Sequence, residues 1–173
     1  MAGSAEHRPD LRLLLVEDDP SDTRLLIQQL ERADVCTYSL SVAPTIADAE
    51  VRIAYEHLDR VLPDLALPDS DGIASVERIH QLGPPLPIIV LTGRDENDLA
   101  LDAIEAGAQD FLVKGVVRGN SILRCARWAV ARMRASGVPV ARAERWTMED
   151  GSAAEATPLL DLTAVPAVQV DVE

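Results

Sequence analysis

Residues 11–22 read Leu-Arg-Leu-Leu-Leu-Val-Glu-Asp-Asp-Pro-Ser-Asp, and this stretch decides the fold. Apart from Arg12, Leu11 to Val16 is an unbroken apolar run, the pattern of a strand buried on both faces. Asp19-Pro20 then supplies an N-cap and a first-turn proline, and Leu26, Ile27, Leu30 and Ala33 follow at helical spacing. A buried strand leading through an acidic turn into a helix is the unit of a parallel sheet with helices on both faces.

The same unit recurs outward from that stretch. Tyr38 to Val42 predicts a second strand, and Thr45 with Asp48 forms a capping box for a second helix carrying Ile46, Ala49 and Ile53 on one face. Val61 to Leu67 predicts the third strand and its exit, and Ile73, Val76 and Ile79 a third helix ended by Gly83-Pro84-Pro85. Pro87 to Leu91 and Phe111 to Val113 predict strands four and five. Leu99, Ala103 and Ile104 mark the fourth helix, stopped by Gly107, and Ile122, Ala126, Ala129, Val130 and Met133 mark the last. Five strands alternate with five helices, which predicts an α/β, doubly wound (βα)5 domain.

The flanks differ. Residues 1–10 are a short N-terminal extension, and 11–136 hold the domain. Residues 137–173 form an acidic, Ala/Val/Pro-rich tail, read as flexible or loosely docked, although Val168, Val170 and Val172 alternate in the manner of a short strand. No internal repeat is present.

Composition narrows the function. A net charge of −13 argues against general binding to nucleic acid or to an anionic membrane. Cys36 and Cys125 are too few for a disulfide framework and read as small core residues. With no signal-like start and no apolar run of spanning length, the expected setting is the cytoplasm. His7, His57 and His80 show no ligand spacing. Fifteen of the sixteen basic residues are arginine, and Lys114 is the single lysine.

In a doubly wound sheet, ligands sit beyond the carboxyl ends of the strands. Those ends carry Glu17-Asp18-Asp19, Asp64, Thr92 and Lys114. Strand ends in any α/β protein carry helix caps, and Asp19 reads as one. Four of five ends with a chemically matched set is more than caps explain. Crowded carboxylates resist ionisation together, and a hard cation such as Mg²⁺ relieves the repulsion. Asp64 can then act as a nucleophile toward a phosphoryl donor, with Lys114 and Thr92 holding phosphoryl oxygens.

These residues together resemble the receiver domain of bacterial two-component response regulators. The matching stretches are LLLVEDDPSD at 13–22, DLALPDSDG at 64–72, PIIVLTG at 87–93 and AGAQDFLVKG at 106–115. The resemblance covers residues 11 to about 135 and implies a flavodoxin-like strand order 2-1-3-4-5. It implies Asp64 as phosphoacceptor, with Glu17, Asp18, Asp64 and the backbone carbonyl of Ala66 as Mg²⁺ ligands, and Thr92 and Lys114 as phosphoryl contacts. Phe111 falls on the switch aromatic, coupled with Thr92 to the face of helix four, strand five and helix five. The implied partners are a histidine kinase or phosphotransfer protein and a downstream protein target, and the implied role is a switch rather than an enzyme.

Three positions depart from the pattern. Pro63 stands before Asp64 in place of an apolar strand residue, Gly115 replaces a common proline, and Ala66 with Arg94 occupies the variable positions that tune acyl-phosphate lifetime. A phosphohydrolase with an aspartyl-phosphate intermediate needs an acid where Ala66 stands. A pseudo-receiver, folded alike but serving as a constitutive binding module, is the other alternative, and Pro63 is its one supporting feature. No output domain is visible, so a stand-alone receiver or a fragment of a longer chain is expected. Residues 111–143 are basic without a single acid, read first as a solvated face. Trp128 lies off the apolar stripe, either as an anchor for a homodimer or partner or packed under the tail.

Overall fold

A computed structural model of the chain describes residues 10–82, 86–93, 97–135 and 170–171. The central strands are β1 (Leu11–Val16), β2 (Tyr38–Ala43), β3 (Arg60–Pro63), β4 (Ile89–Thr92) and β5 (Asp110–Val113). The helices are α1 (Pro20–Glu31), α2 (Ile46–Tyr55), α3 (Ile73–Gln81), α4 (Asn97–Glu105) and α5 (Gly119–Ala135). β1 pairs in parallel with β2 on one side and β3 on the other, and β4 pairs in parallel with β5. β3 meets β4 through two isolated parallel bridges, Val61 with Ile88 and Asp64 with Leu91.

The alternation of side chains along β1 splits the core into two layers. Leu14 and Val16 join Val61, Ile46, Ala49, Ile53, Val76, Ile79 and Ala103 beneath α2, α3 and α4. Leu13 and Leu15 join Leu40, Leu62, Leu91, Leu26, Leu30, Ile122, Leu123, Ala126 and Ala129 beneath α1 and α5. Each fully buried aliphatic side chain contributes about 1.5–3 kcal/mol. A sheet covered on both faces explains why β1 reads as a continuous apolar run.

The local signals act as read. Asp19 accepts the N–H groups of Ser21 (2.6 Å) and Asp22 (3.4 Å), and Pro20 opens α1. Thr45 Oγ1 accepts the Asp48 N–H at 3.0 Å and donates to Asp48 Oδ2 at 2.6 Å. Gly107 ends α4 with φ +110°. Gly119, at the start of α5, is required by crowding, because a Cβ there would lie 1.9 Å from the Gln29 carbonyl oxygen on α1.

The third strand covers Arg60–Pro63 and runs into Asp64, and its exit is a short antiparallel hairpin of Ala66–Leu67 with Ser70–Asp71. Successive N–H groups along a strand point to opposite neighbours. Val61 donates to the Pro87 carbonyl (3.0 Å) and Asp64 to the Val16 carbonyl (2.9 Å), so Pro63 lies on the β4 side of the alternation. Its missing N–H removes one rung, and the β3–β4 contact is two bridges rather than a continuous ladder.

Cys125 is buried and Cys36 partly so, packed against the core. His57 and His80 are exposed. The extension before Asp10, Arg94 and most of the tail lie outside the described residues. Of the tail, Val170–Asp171 pairs antiparallel with Ser39–Leu40 at the β2 edge. Among the described residues no helix is long and apolar enough to cross a membrane.

Candidate functional site

The site is built at the carboxyl ends of β1, β3, β4 and β5. Glu17, one residue past β1, is 4% exposed, and Asp64, one past β3, is 5% exposed. Asp18 is exposed beside them. One carboxylate oxygen from each of Glu17, Asp18 and Asp64 lies within 4.8 Å of the other two. Their proximity follows from the register that sets Val16 opposite Pro63 and from the Asp64 N–H bonded to the Val16 carbonyl.

The acids are fixed by backbone amides. Glu17 Oε1 accepts the Asp19 N–H at 3.1 Å, and Asp64 Oδ1 accepts the Leu65 N–H at 2.9 Å. That leaves Glu17 Oε2 and Asp64 Oδ2 for Lys114, whose Nζ lies 2.5 Å and 2.9 Å from them. Lys114 reaches there because its N–H bonds the Thr92 carbonyl at 2.8 Å, continuing the β5–β4 pairing past the strand end. Burial raises the Glu17 carboxyl pKa above its ordinary value, opposed by the Lys114 hydrogen bond and reinforced by the Asp64 charge. Burial alone would lower that of Lys114, but hydrogen bonds to Glu17, Asp64 and Asp22 hold it well above the usual lysine value.

The Thr92 side chain is fully buried, and its Oγ1 has no hydrogen-bond partner among the described residues. A buried hydroxyl without a partner is costly and calls for a ligand or a role. Phe111 is half-buried and packs against the core under α2, α3 and α4. Ala66 is exposed at the start of the hairpin, two residues after Asp64. Gly115 adopts φ +73°, a conformation closed to proline, so the chain leaves Lys114 along a path the commoner Lys-Pro sequence cannot take.

Two neighbouring residues escaped the sequence reading. Asp22, in the first turn of α1, places Oδ2 at 2.9 Å from Lys114 Nζ. From sequence it is only an acid near a helix N-terminus, and tertiary packing alone sets it against the lysine. Asp69, in the hairpin turn after Asp64, accepts the N–H groups of Ile46 and Ala47, both at 2.9 Å, and so caps α2 from another loop. Arg78 steadies that turn by donating to the Asp69 carbonyl at 3.4 Å while paired with Glu50 at 2.7 Å.

Buried hard oxygen donors around an open rim suit a divalent cation such as Mg²⁺, which prefers a few carboxylates plus water and phosphate oxygens. Such an acidic pocket is where receiver domains take Mg²⁺.

The family model for the response regulator receiver domain matches residues 13–124. The chain is 38% identical over 104 residues to the swarming motility regulation protein RssB of Serratia marcescens, and 34% identical over 104 residues to the transcriptional regulatory protein PmrA of Pectobacterium parmentieri. Each match covers 60% of this chain and 46% of the relative, so the chain accounts for less than half the length of these relatives. The expectation of no nucleic-acid partner finds no support in them, since one is named for transcriptional regulation. Among solved structures, the CheY-like response regulator receiver domain protein of Methanospirillum hungatei JF-1 superposes with TM-score 0.61 at 25% identity, covering 73% of this chain and 98% of that one.

Proposed function

The chain belongs to the response regulator receiver family, and from that premise we propose that Asp64 is its phosphoacceptor, taking the phosphoryl group from a histidine kinase or histidine phosphotransfer protein. The observation that carries this reading is a buried aspartate whose free oxygen faces the single lysine of the chain, within 4.8 Å of two further acids.

On this reading Asp64 Oδ1 stays anchored on the Leu65 amide while Oδ2 attacks phosphorus. The new Oδ2–P bond forms as the P–N bond to the donor imidazole breaks, and the imidazole takes up a proton as it leaves. Glu17, Asp18, Asp64 and the Ala66 carbonyl would hold Mg²⁺, which supplies charge neutralisation for the phosphoryl oxygens. Lys114 moves from Asp64 Oδ2 to a phosphoryl oxygen, and the Thr92 hydroxyl donates to another. Phe111 then follows Thr92 inward, altering the face of α4, β5 and α5 that a downstream protein reads. The receiver unit spans residues 11–136. Mg²⁺ with acetyl phosphate is expected to add one phosphoryl mass to the intact protein and none to Asp64→Ala. Absence of any gain in the folded, Mg²⁺-binding parent would instead favour a constitutive binding module.

A further inference from the structure

The ammonium of Lys114 has three hydrogens to donate and three carboxylates around it. Glu17 and Asp64 hold it from the buried side, and Asp22 holds it from α1 at 2.9 Å, with the Asp22 side chain 42% exposed at the rim. The first two acids belong to the cluster that a divalent cation would use. Lys114 and the cation therefore compete for Glu17 Oε2 and Asp64 Oδ2. An ammonium displaced from both needs another counter-charge, or the displacement costs the full separation of a partly buried ion pair.

We propose that Asp22 is a positioning residue of the site: it retains Lys114 at the rim when Glu17 and Asp64 turn to a divalent cation, and so sets the cation affinity of the receiver. This rests on the phosphoacceptor reading for its purpose but not for its test. With Asp22 present, Lys114 gives up two carboxylates and keeps the third. Without it, the lysine is bound more exclusively to the cluster before the cation arrives and has no partner afterward. Both changes weaken cation binding. Asp22 is one of three acids on Lys114, so the effect is modest and acts through the lysine.

The test is a double-mutant cycle read by calorimetric titration of Mg²⁺ into the unphosphorylated full chain. Asp22→Asn is expected to weaken Mg²⁺ binding about three- to fivefold, and Asp22→Glu, which keeps a carboxylate on α1, to remain within about twofold of the parent. In the Lys114→Ala background, Asp22→Asn is expected to have almost no effect, because the lysine through which it acts is gone. Equal affinity in Asp22→Asn and the parent would overturn the proposal. So would an undiminished loss in the Lys114→Ala background, which would assign the effect to the field of Asp22 alone, and so would a parent that binds no Mg²⁺. Because the cycle needs no phosphorylation, failure of Asp64 to accept a phosphoryl group would sink the switch reading while leaving the cycle interpretable.

Discussion

The two halves of the sheet are built differently. On one side, β3, β1 and β2 form continuous parallel ladders, with six register pairs between β1 and β2 and four between β1 and β3. On the other, β4 and β5 pair with each other but reach β3 through two isolated bridges flanking Pro63. Glu17, Asp18 and Asp64 sit on the zipped half, and Thr92, Phe111 and Lys114 on the other. The candidate chemistry therefore straddles a seam, with Glu17 and Asp64 anchored on backbone amides on one side and the residues that would respond to a phosphoryl group on the other. A site that held a cation and moved a hydroxyl and an aromatic, as proposed, would gain from that division.

The strongest way to break the comparison is to cut the ionic tie across the seam. Lys114→Ala removes the cation that neutralises Glu17 and Asp64 and the contact proposed for a phosphoryl oxygen. The expected result is a fall of at least about a hundredfold in the rate of phosphorylation by acetyl phosphate. Glu17, whose pKa burial already raises and Lys114 opposes, should rise further. Added Mg²⁺ should then raise the melting temperature of the variant more than that of the parent. Equal Mg²⁺ stabilisation of the two proteins would show that the lysine does not compete for the acids.

A smaller effect is expected within the zipped half, at the loop that follows Asp64. Asp69→Ala removes the cap that Asp69 provides to the first two amides of α2, at a cost of about 1 kcal/mol. Burial by itself would raise the Asp69 pKa, but the Ile46 and Ala47 amides outweigh it and hold the carboxyl below its ordinary value. A group lowered in this way contributes stability above its unfolded pKa and loses it as pH falls through the folded one. The gap in stability between Asp69→Ala and the parent should therefore be full at neutral pH and close progressively below about pH 4. Denaturant titrations at pH 7 and pH 3 check this. A gap undiminished at pH 3 would mean that Asp69 acts by packing rather than as a charged acceptor.

How much of this was legible in the sequence depends on whether the signal is local. β1, the Asp19 cap and the Thr45–Asp48 box are written in adjacent residues, and each formed where its pattern lay. The acids and Lys114 were legible because strand ends of a doubly wound sheet must converge, whatever the loop details. The end of β3 at Asp64 was legible too, but the hairpin that follows it and the rung lost at Pro63 were not, since the latter depends on which neighbour that amide position faces. Asp22 and Asp69 were missed for a related reason. Each meets a partner far away in sequence, Lys114 and the start of α2, and nothing next to either residue announces it. Arg60 is the same case, since a fully buried arginine at the head of β3 donates to the Ala126 carbonyl of α5.

The subtlest test sharpens the seam itself. Pro63→Leu restores an N–H on the β4 side of the alternation, opposite the Ile89 carbonyl that lies two residues beyond the acceptor of Val61. A recovered rung is worth about 1 kcal/mol net. Loss of proline loosens the unfolded chain by a similar amount, about 0.4–1 kcal/mol, so global stability should change by less than about 0.5 kcal/mol. The change should appear locally instead, as slower amide exchange for Ile89 to Thr92 relative to β1, which is already zipped on both sides. If the seam is what frees Thr92 to move, the same variant should also show a smaller spectral change in α4 and β5 on phosphorylation. Faster exchange at β4 would mean that Pro63 stiffens β3 rather than opening it, and the division between the two halves would then lie in β4 and β5 themselves.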